Sequence, residues 1–338
     1  MKNLFKILLI VLIIGFGSCS NELDLVDPTE PIPVVCFRLD PSDSIFYLTL
    51  TRSFSGNSSG FDLARDPQKV FYENADIRLE NWIGEYKVGE TRFYPSNLTK
   101  NPGLFPEVPG YCYQAFNELS MMGSDVVSSM ANNFRLIIDV KGKFGPANST
   151  IPMIPLPVQT LPSTFDKRFD LYPPDSSHFT VQFKINFKFV KYCELLCIFR
   201  YQELAGSWVD HSETISLRKS MKITNDNGIY TATAIIYPDL FYNKLATNIK
   251  PINDTMIRRF RSMDLVFISG DQQYKDYTET YINAGNLDAP AMGNINNGYG
   301  LFTMTRTLRF ENMILSRKTL DSLASGQYSK HLGFNKWY

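Results

Sequence analysis

The sequence predicts a mainly β protein in two β-rich halves: an N-terminal immunoglobulin-like sandwich and a C-terminal antiparallel β domain with one or two short helices. Three observations carry this reading. Rings that suit pleated surfaces are abundant, with 25 Phe and 18 Tyr among 338 residues. Short apolar runs of strand length recur between clusters of Gly, Pro, Asn and Ser. From Phe179 to Phe189 apolar and polar side chains alternate without a break, which gives one long strand a dry face and a wet face.

The chain begins with Lys2 and Lys6, an apolar run from Ile7 to Ile14, and then Phe16-Gly17-Ser18-Cys19. The run is about half of the ~20 apolar residues a spanning helix needs. A basic end, a short apolar core and small residues before a cysteine make a bacterial lipoprotein signal peptide over residues 1–18. Cleavage then leaves Cys19 at the mature N-terminus as the lipid attachment residue, and the membrane is the first partner. Residues 19–33 contain Glu22, Asp24, Asp27, Pro28, Pro31 and Pro33. They read as an extended tether, because proline holds the chain near polyproline geometry.

Strand signals follow at Val34–Leu39, Ile45–Phe54, Ala75–Asn81, Glu85–Val88, Thr91–Tyr94, Tyr111–Phe116 and Phe134–Val140. Seven short strands with turn residues between them fit an immunoglobulin-like sandwich over residues 34–145. Asp66 and Pro67 open one helical turn, an aspartate cap followed by a proline preorganised for the first position. From Pro146 to Pro174 the prolines at 152, 155, 157, 162, 173 and 174 remove backbone donors, so residues 146–174 read as a connection without central strands. The second β-rich domain spans 175–338. After the alternating strand come Leu195–Gln202, Glu213–Leu217, Met221–Thr224 and Tyr230–Tyr237, with Asn225-Asp226-Asn227-Gly228 as a hairpin turn. Asp264–Ile268 is a strand, and Asp271 caps a helix to Ala284 whose stripe is Tyr274, Tyr277, Tyr281 and Ile282. Strands at Leu301–Thr305 and Thr307–Phe310 precede a short helix at Arg317–Ala324.

Charge and motifs exclude several functions. The full chain carries 34 basic and 34 acidic residues, and the signal removes two lysines. Such a balance, without basic runs, offers no footprint for nucleic acid. Cys193 and Cys197 are too far apart along a strand to bridge and lack metal-ligand company, so they read as buried thiols. A Cys36–Cys112 disulfide stays open. Gly56-Asn57-Ser58-Ser59-Gly60 matches the spacing of a nucleophile elbow but reads as a hairpin, in a chain with only His178, His211 and His331. No His-Glu-x-x-His stretch occurs. No catalytic, cofactor-binding or metal-binding residues are assigned from the sequence.

Three stretches, taken in order, carry a resemblance: the lipidated start leading into Val34–Leu39 and Ile45–Ser53; Phe134–Val140 with Ala147-Asn148-Ser149-Thr150-Ile151-Pro152; and Asn294-Ile295-Asn296-Asn297-Gly298-Tyr299-Gly300-Leu301-Phe302. Together they resemble a family of Bacteroidota outer-membrane lipoproteins defined by a domain of unknown function and often encoded beside TonB-dependent receptors. Where the family carries an acidic, proline-containing turn, this chain has Val190-Lys191-Tyr192-Cys193-Glu194. The resemblance implies a cell-envelope role, with a TonB-dependent receptor as partner. The acidic residues after Cys19 resemble the export signal for the outer face of the outer membrane. The expectation is a lipid-anchored, non-enzymatic protein of the cell surface that binds a ligand or assists a receptor. The alternatives are a glycan-directed surface hydrolase and an adhesin or assembly subunit.

Overall fold

The structure is a computed structural model that describes residues 31–53, 59–72, 74–96, 98, 112–118, 132–140, 145–162, 167–172, 178–186, 188–251, 257–282 and 293–336. Its first half contains β1 (Pro33–Leu39), β2 (Ile45–Arg52), β3 (Asp76–Ile83), β4 (Tyr86–Pro95), β5 (Cys112–Phe116), β6 (Asn132–Asp139) and β7 (Ala147–Pro152). Two short helices, α1 (Gly60–Arg65) and α2 (Pro67–Val70), link β2 to β3. The second half contains β8 (Val158–Leu161), β9 (Arg168–Phe169), β10 (Phe179–Ile185), β11 (Tyr192–Ala205), β12 (Ser207–Arg218), β13 (Ile223–Asp226), β14 (Ile229–Ile236), β15 (Ile257–Gly270) and β16 (Tyr299–Leu315). Three helices accompany them: α3 (Pro238–Asn248), α4 (Gln272–Ile282) and α5 (Arg317–Ser325). The chain is mainly β, as predicted.

The strands form two sheets. A twelve-stranded sheet runs β12-β11-β15-β16-β1-β2-β5-β4-β3-β6-β7, with β9 against β16, and a four-stranded sheet runs β13-β14-β10-β8. The boundary expected at 146–174 does not break the large sheet. The first strand, β1, pairs in parallel with the last, β16, from Val34 opposite Tyr299 to Leu39 opposite Met304. Within the expected connection β7 adds to β6, from Asn133 opposite Pro152 to Ile138 opposite Ala147. It lies at the end of the sheet, the place where proline is tolerated because the missing donor has no partner to lose. Beyond it, Asn148 and Asn296 exchange backbone hydrogen bonds of 3.0 and 2.8 Å, so the free edge of β7 folds back to the segment that leads into β16. The first half closes on itself in this way as a sandwich.

One hydrophobic core joins the halves. Phe37 of β1 stacks on Phe302 of β16 at 5.3 Å and meets Phe93 of β4 edge-on. Val181, Phe183 and Ile185, the dry row of the alternating strand, are buried, and Phe183 stacks on Phe267 of β15 with centroids 3.8 Å apart. That contact seats the small sheet on the large one. The strand stops at Ile185, short of the predicted Phe189, because the Asn186 side chain accepts from the Lys188 N–H and its carbonyl accepts from Phe189 and Val190. An asparagine that supplies its own turn ends a strand despite a favourable pattern.

Local chemistry accounts for the other joints. Asp66 accepts from the Gln68 N–H and caps α2, and Asp271 accepts from the Tyr274 N–H and caps α4, as predicted. Asn227 and Gly228 both have positive φ in the β13–β14 hairpin. Gly300 has φ of 105°, and a side chain there would put its Cβ 1.9 Å from the Val35 carbonyl oxygen. Only glycine lets β1 and β16 lie side by side at that point. The break predicted inside β16 is absent. The buried Asp40 instead accepts from the Thr305 and Thr307 hydroxyls and carries the strand through. Helix α3 was not foreseen; Pro238 starts it, and Phe241, Tyr242 and Leu245 are its buried stripe.

Candidate functional site

Strands β4 and β5 pair at only two positions, Tyr94 with Gln114 and Pro95 with Tyr113. Below those pairs they splay, since β4 is fully paired to β3 and β5 to β2. Because side chains alternate across a strand, the outward residues Glu90, Arg92 and Tyr94 form one wall, facing Gln114, Phe116 and Glu118 from the other. Thr91 and Ala115 make the floor, and Ile45 of β2 backs Phe116. The cleft encloses about 290 Å³. Two large rings stand open in it, Tyr94 at 64% and Phe116 at 70% exposure, and Tyr47 of β2, opposite Gln114, continues the aromatic row.

The charges on the β4 wall are paired among themselves, and Glu118 on the opposite wall stands outside that network. Glu90 contacts Lys87 at 2.6 Å and Arg92 at 3.1 Å, and Lys87 also reaches Glu80. The Lys87 hydrogen bond holds the Glu90 carboxyl below the usual glutamate range. Gln114, which lines the cleft, accepts from the Ser96 hydroxyl through its carbonyl oxygen at 3.0 Å, so that bond does not use its amide N–H groups.

A second recess, of about 390 Å³, lies inside the sheet near the β11–β12 hairpin tip and is lined by Tyr201, Glu203, His211, Glu213, Lys250 and Arg258. Here the polar groups serve one another. Arg258 donates to Glu203 Oε1 through Nε at 2.7 Å and Nη2 at 2.6 Å, and through Nη1 to the Lys250 and Leu332 carbonyls. Glu203 Oε2 lies 3.3 Å from His211 Nε2, and His211 stacks on Tyr201. Both oxygens of the carboxylate are engaged, so this cluster fastens the C-terminal segment to β15 rather than offering a free base.

The sequence-derived site residue, Cys19, lies outside the described residues, as does Ser58, the middle serine of the elbow-like stretch. Ser59 caps α1, donating to Asp62 and accepting from its N–H, so a helix follows where a hairpin was expected. The sheet beside it is antiparallel, unlike the parallel one an elbow requires, and among the described residues no histidine hydrogen-bonds a serine or cysteine. Cys193 and Cys197 are buried free thiols on β11, pushed well above the ordinary range by desolvation. Cys36 and Cys112 are also free. Both sit opposite Thr49, one on each side, which separates them by two strand spacings of about 4.8 Å, beyond the ~7 Å reach of a disulfide. Among the described residues no group of three or more His, Cys, Asp or Glu is placed to hold a metal, and no helix is long and apolar enough to cross a membrane.

The cleft was missed in the sequence because Tyr94 and Phe116 read there as ordinary strand rings. Described parts of three stretches distant in sequence lie together. Val34–Leu39 lies against the strand that follows Gly298, and Asn148 is bonded to Asn296.

No family model matches the chain, and no curated protein does. A solved structure titled "Anomalous substructure of Titin-A168169" aligns with 72% of this chain and 93% of that one, at 8% identity and a TM-score of 0.16, too loose a superposition to bear on architecture or function.

Proposed function

We propose that the protein is a lipid-anchored component of the outer membrane, exposed at the cell surface, that captures a ligand without transforming it and works beside a TonB-dependent receptor. The anchor rests on the Phe16–Cys19 signal. The ligand role rests on the β4–β5 cleft, where two large rings remain open on facing strands. Exposed rings grouped in one concave place mark a binding site far more often than isolated ones do. A glycan-directed hydrolase would draw on Glu90 and Glu118, which stand on opposite walls. Glu90 is committed to ion pairs with Lys87 and Arg92, which hold it back from the free approach to a glycosidic bond that such a role requires.

The test is made in cells. Labelled palmitate should enter the wild-type chain but not Cys19→Ala, which should leave the membrane fraction. Surface protease should remove the wild-type protein from intact cells, and mild detergent should extract it together with a TonB-dependent receptor. A membrane-bound, unlabelled Cys19→Ala protein would refute the anchor, and extraction as a solitary monomer would refute the receptor partnership.

A further inference from the structure

We propose that the β4–β5 cleft binds the end of a neutral, pyranose-containing oligosaccharide; this deepens the ligand-capture reading and rests on it. Four features point to that chemistry. Tyr94 and Phe116 are largely exposed on opposite walls, and the apolar C–H face of a sugar ring stacks on aromatic surfaces. Gln114, paired with Tyr94 across the two strands, and the Tyr94 hydroxyl supply donors and acceptors for sugar hydroxyls in the same lining. Glu90, Arg92, Lys87 and Glu80 pair with one another, which leaves Glu118, among the described residues, as the one lining charge outside that network, an arrangement that gives an anion no cationic group to meet unpaired. The volume of about 290 Å³ sits at the lower end of ligand pockets and has room for roughly one or two sugar rings.

The geometry also disfavours a peptide. An added strand would have to run between β4 and β5, but the Tyr94–Gln114 and Pro95–Tyr113 pairs close the gap at one end. A chain terminus can enter from the open side, whereas a through-running strand has no exit.

The experiment uses the full mature protein in mild detergent, titrated calorimetrically with maltoheptaose, laminarihexaose, xylohexaose and mannohexaose, with hyaluronan fragments and an unstructured acidic peptide as charged and peptide probes. At least one neutral oligosaccharide should bind. Phe116→Ala and Tyr94→Ala should each weaken that binding about tenfold or more, while Phe61→Ala, an equally exposed ring on α1, should leave it unchanged. Because the cleft rings are open to water, their loss should leave the melting temperature in place, which separates lost binding from lost folding. Binding of none of the neutral probes overturns the proposal. So does preference for the charged or peptide probes, or binding indifferent to Phe116→Ala and Tyr94→Ala. Receptor co-extraction is scored separately: a receptor complex with no sugar binding removes only the ligand class, and sugar binding with no receptor complex removes only the partnership.

Discussion

Two buried aspartates on this sheet respond to acid in opposite ways. Asp264 accepts from Arg200 Nη1 at 2.8 Å and Nη2 at 2.6 Å and from the Asn312 N–H, and these bonds hold its carboxyl below the ordinary value of about 3.9. A carboxyl whose pKa falls on folding stabilises the protein above its unfolded pKa, and that contribution disappears as pH drops through the folded value. Asp271 is raised, chiefly by burial, so its protonation on acidification returns some stability at higher pH, between its raised folded value and the unfolded value of about 3.9. Asp264→Asn should therefore cost about 2 kcal/mol at pH 7, less than the ~3–5 kcal/mol of a fully buried pair because Arg200 keeps contact with water. Its stability should then fall less steeply than the wild type's below pH 4. Urea denaturation between pH 7 and pH 3 measures both; parallel pH curves for the two proteins would contradict the assignment.

At the level of elements, the alternating strand shows how sequence pattern becomes architecture. Its dry row was legible residue by residue, and Phe179, Val181, Phe183 and Ile185 all pack as the period demands. Its partners were not legible, because a period of two states which face is buried and nothing about what covers it. The small sheet is held down through Phe183, whose ring lies 18° from parallel with Phe267. Phe183→Ala should destabilise the protein by about 3–5 kcal/mol, read as a lower urea midpoint. A loss below about 1 kcal/mol would mean that β10 is seated by other contacts. Helix α3 eluded the sequence for a related reason: its apolar residues follow directly on strand β14, and Tyr242 is fixed by contacts far along the chain, its hydroxyl donating to the Leu171 and Thr319 carbonyls. The caps at Asp66 and Asp271 were legible because a cap acts within three residues of its own position.

Over the whole molecule, the strands of both halves were largely visible in sequence, but their order across the sheet was not. Turn chemistry predicts which neighbours form hairpins; it gives no account of β1 beside β16 or of β7 returning to Asn296. The cleft shares this origin, since it exists only because β4 leaves β5 after two pairs to follow β3. With Phe37 stacked on Phe302, the first-half core is completed by the last strand. A fragment ending at residue 292 should therefore lose the fold of both halves together, and the intact chain should unfold in one transition rather than two. Circular dichroism and fluorescence melts would test this; a fragment with a native-like, cooperative transition would show that the first half stands alone.

The pairing of β1 with β16 also sets a timetable. Asp40, just past the first strand, is met through Oδ1 by Ser42 two residues on, but its Oδ2 waits for Thr305, 265 positions later. A polypeptide delivered from its leading end must remain incomplete until nearly all of it has emerged, since closure of the longest loop is the slow, entropically costly event. Any machinery that hands this chain across a barrier thus receives it pliable, and the final β strand acts as the latch.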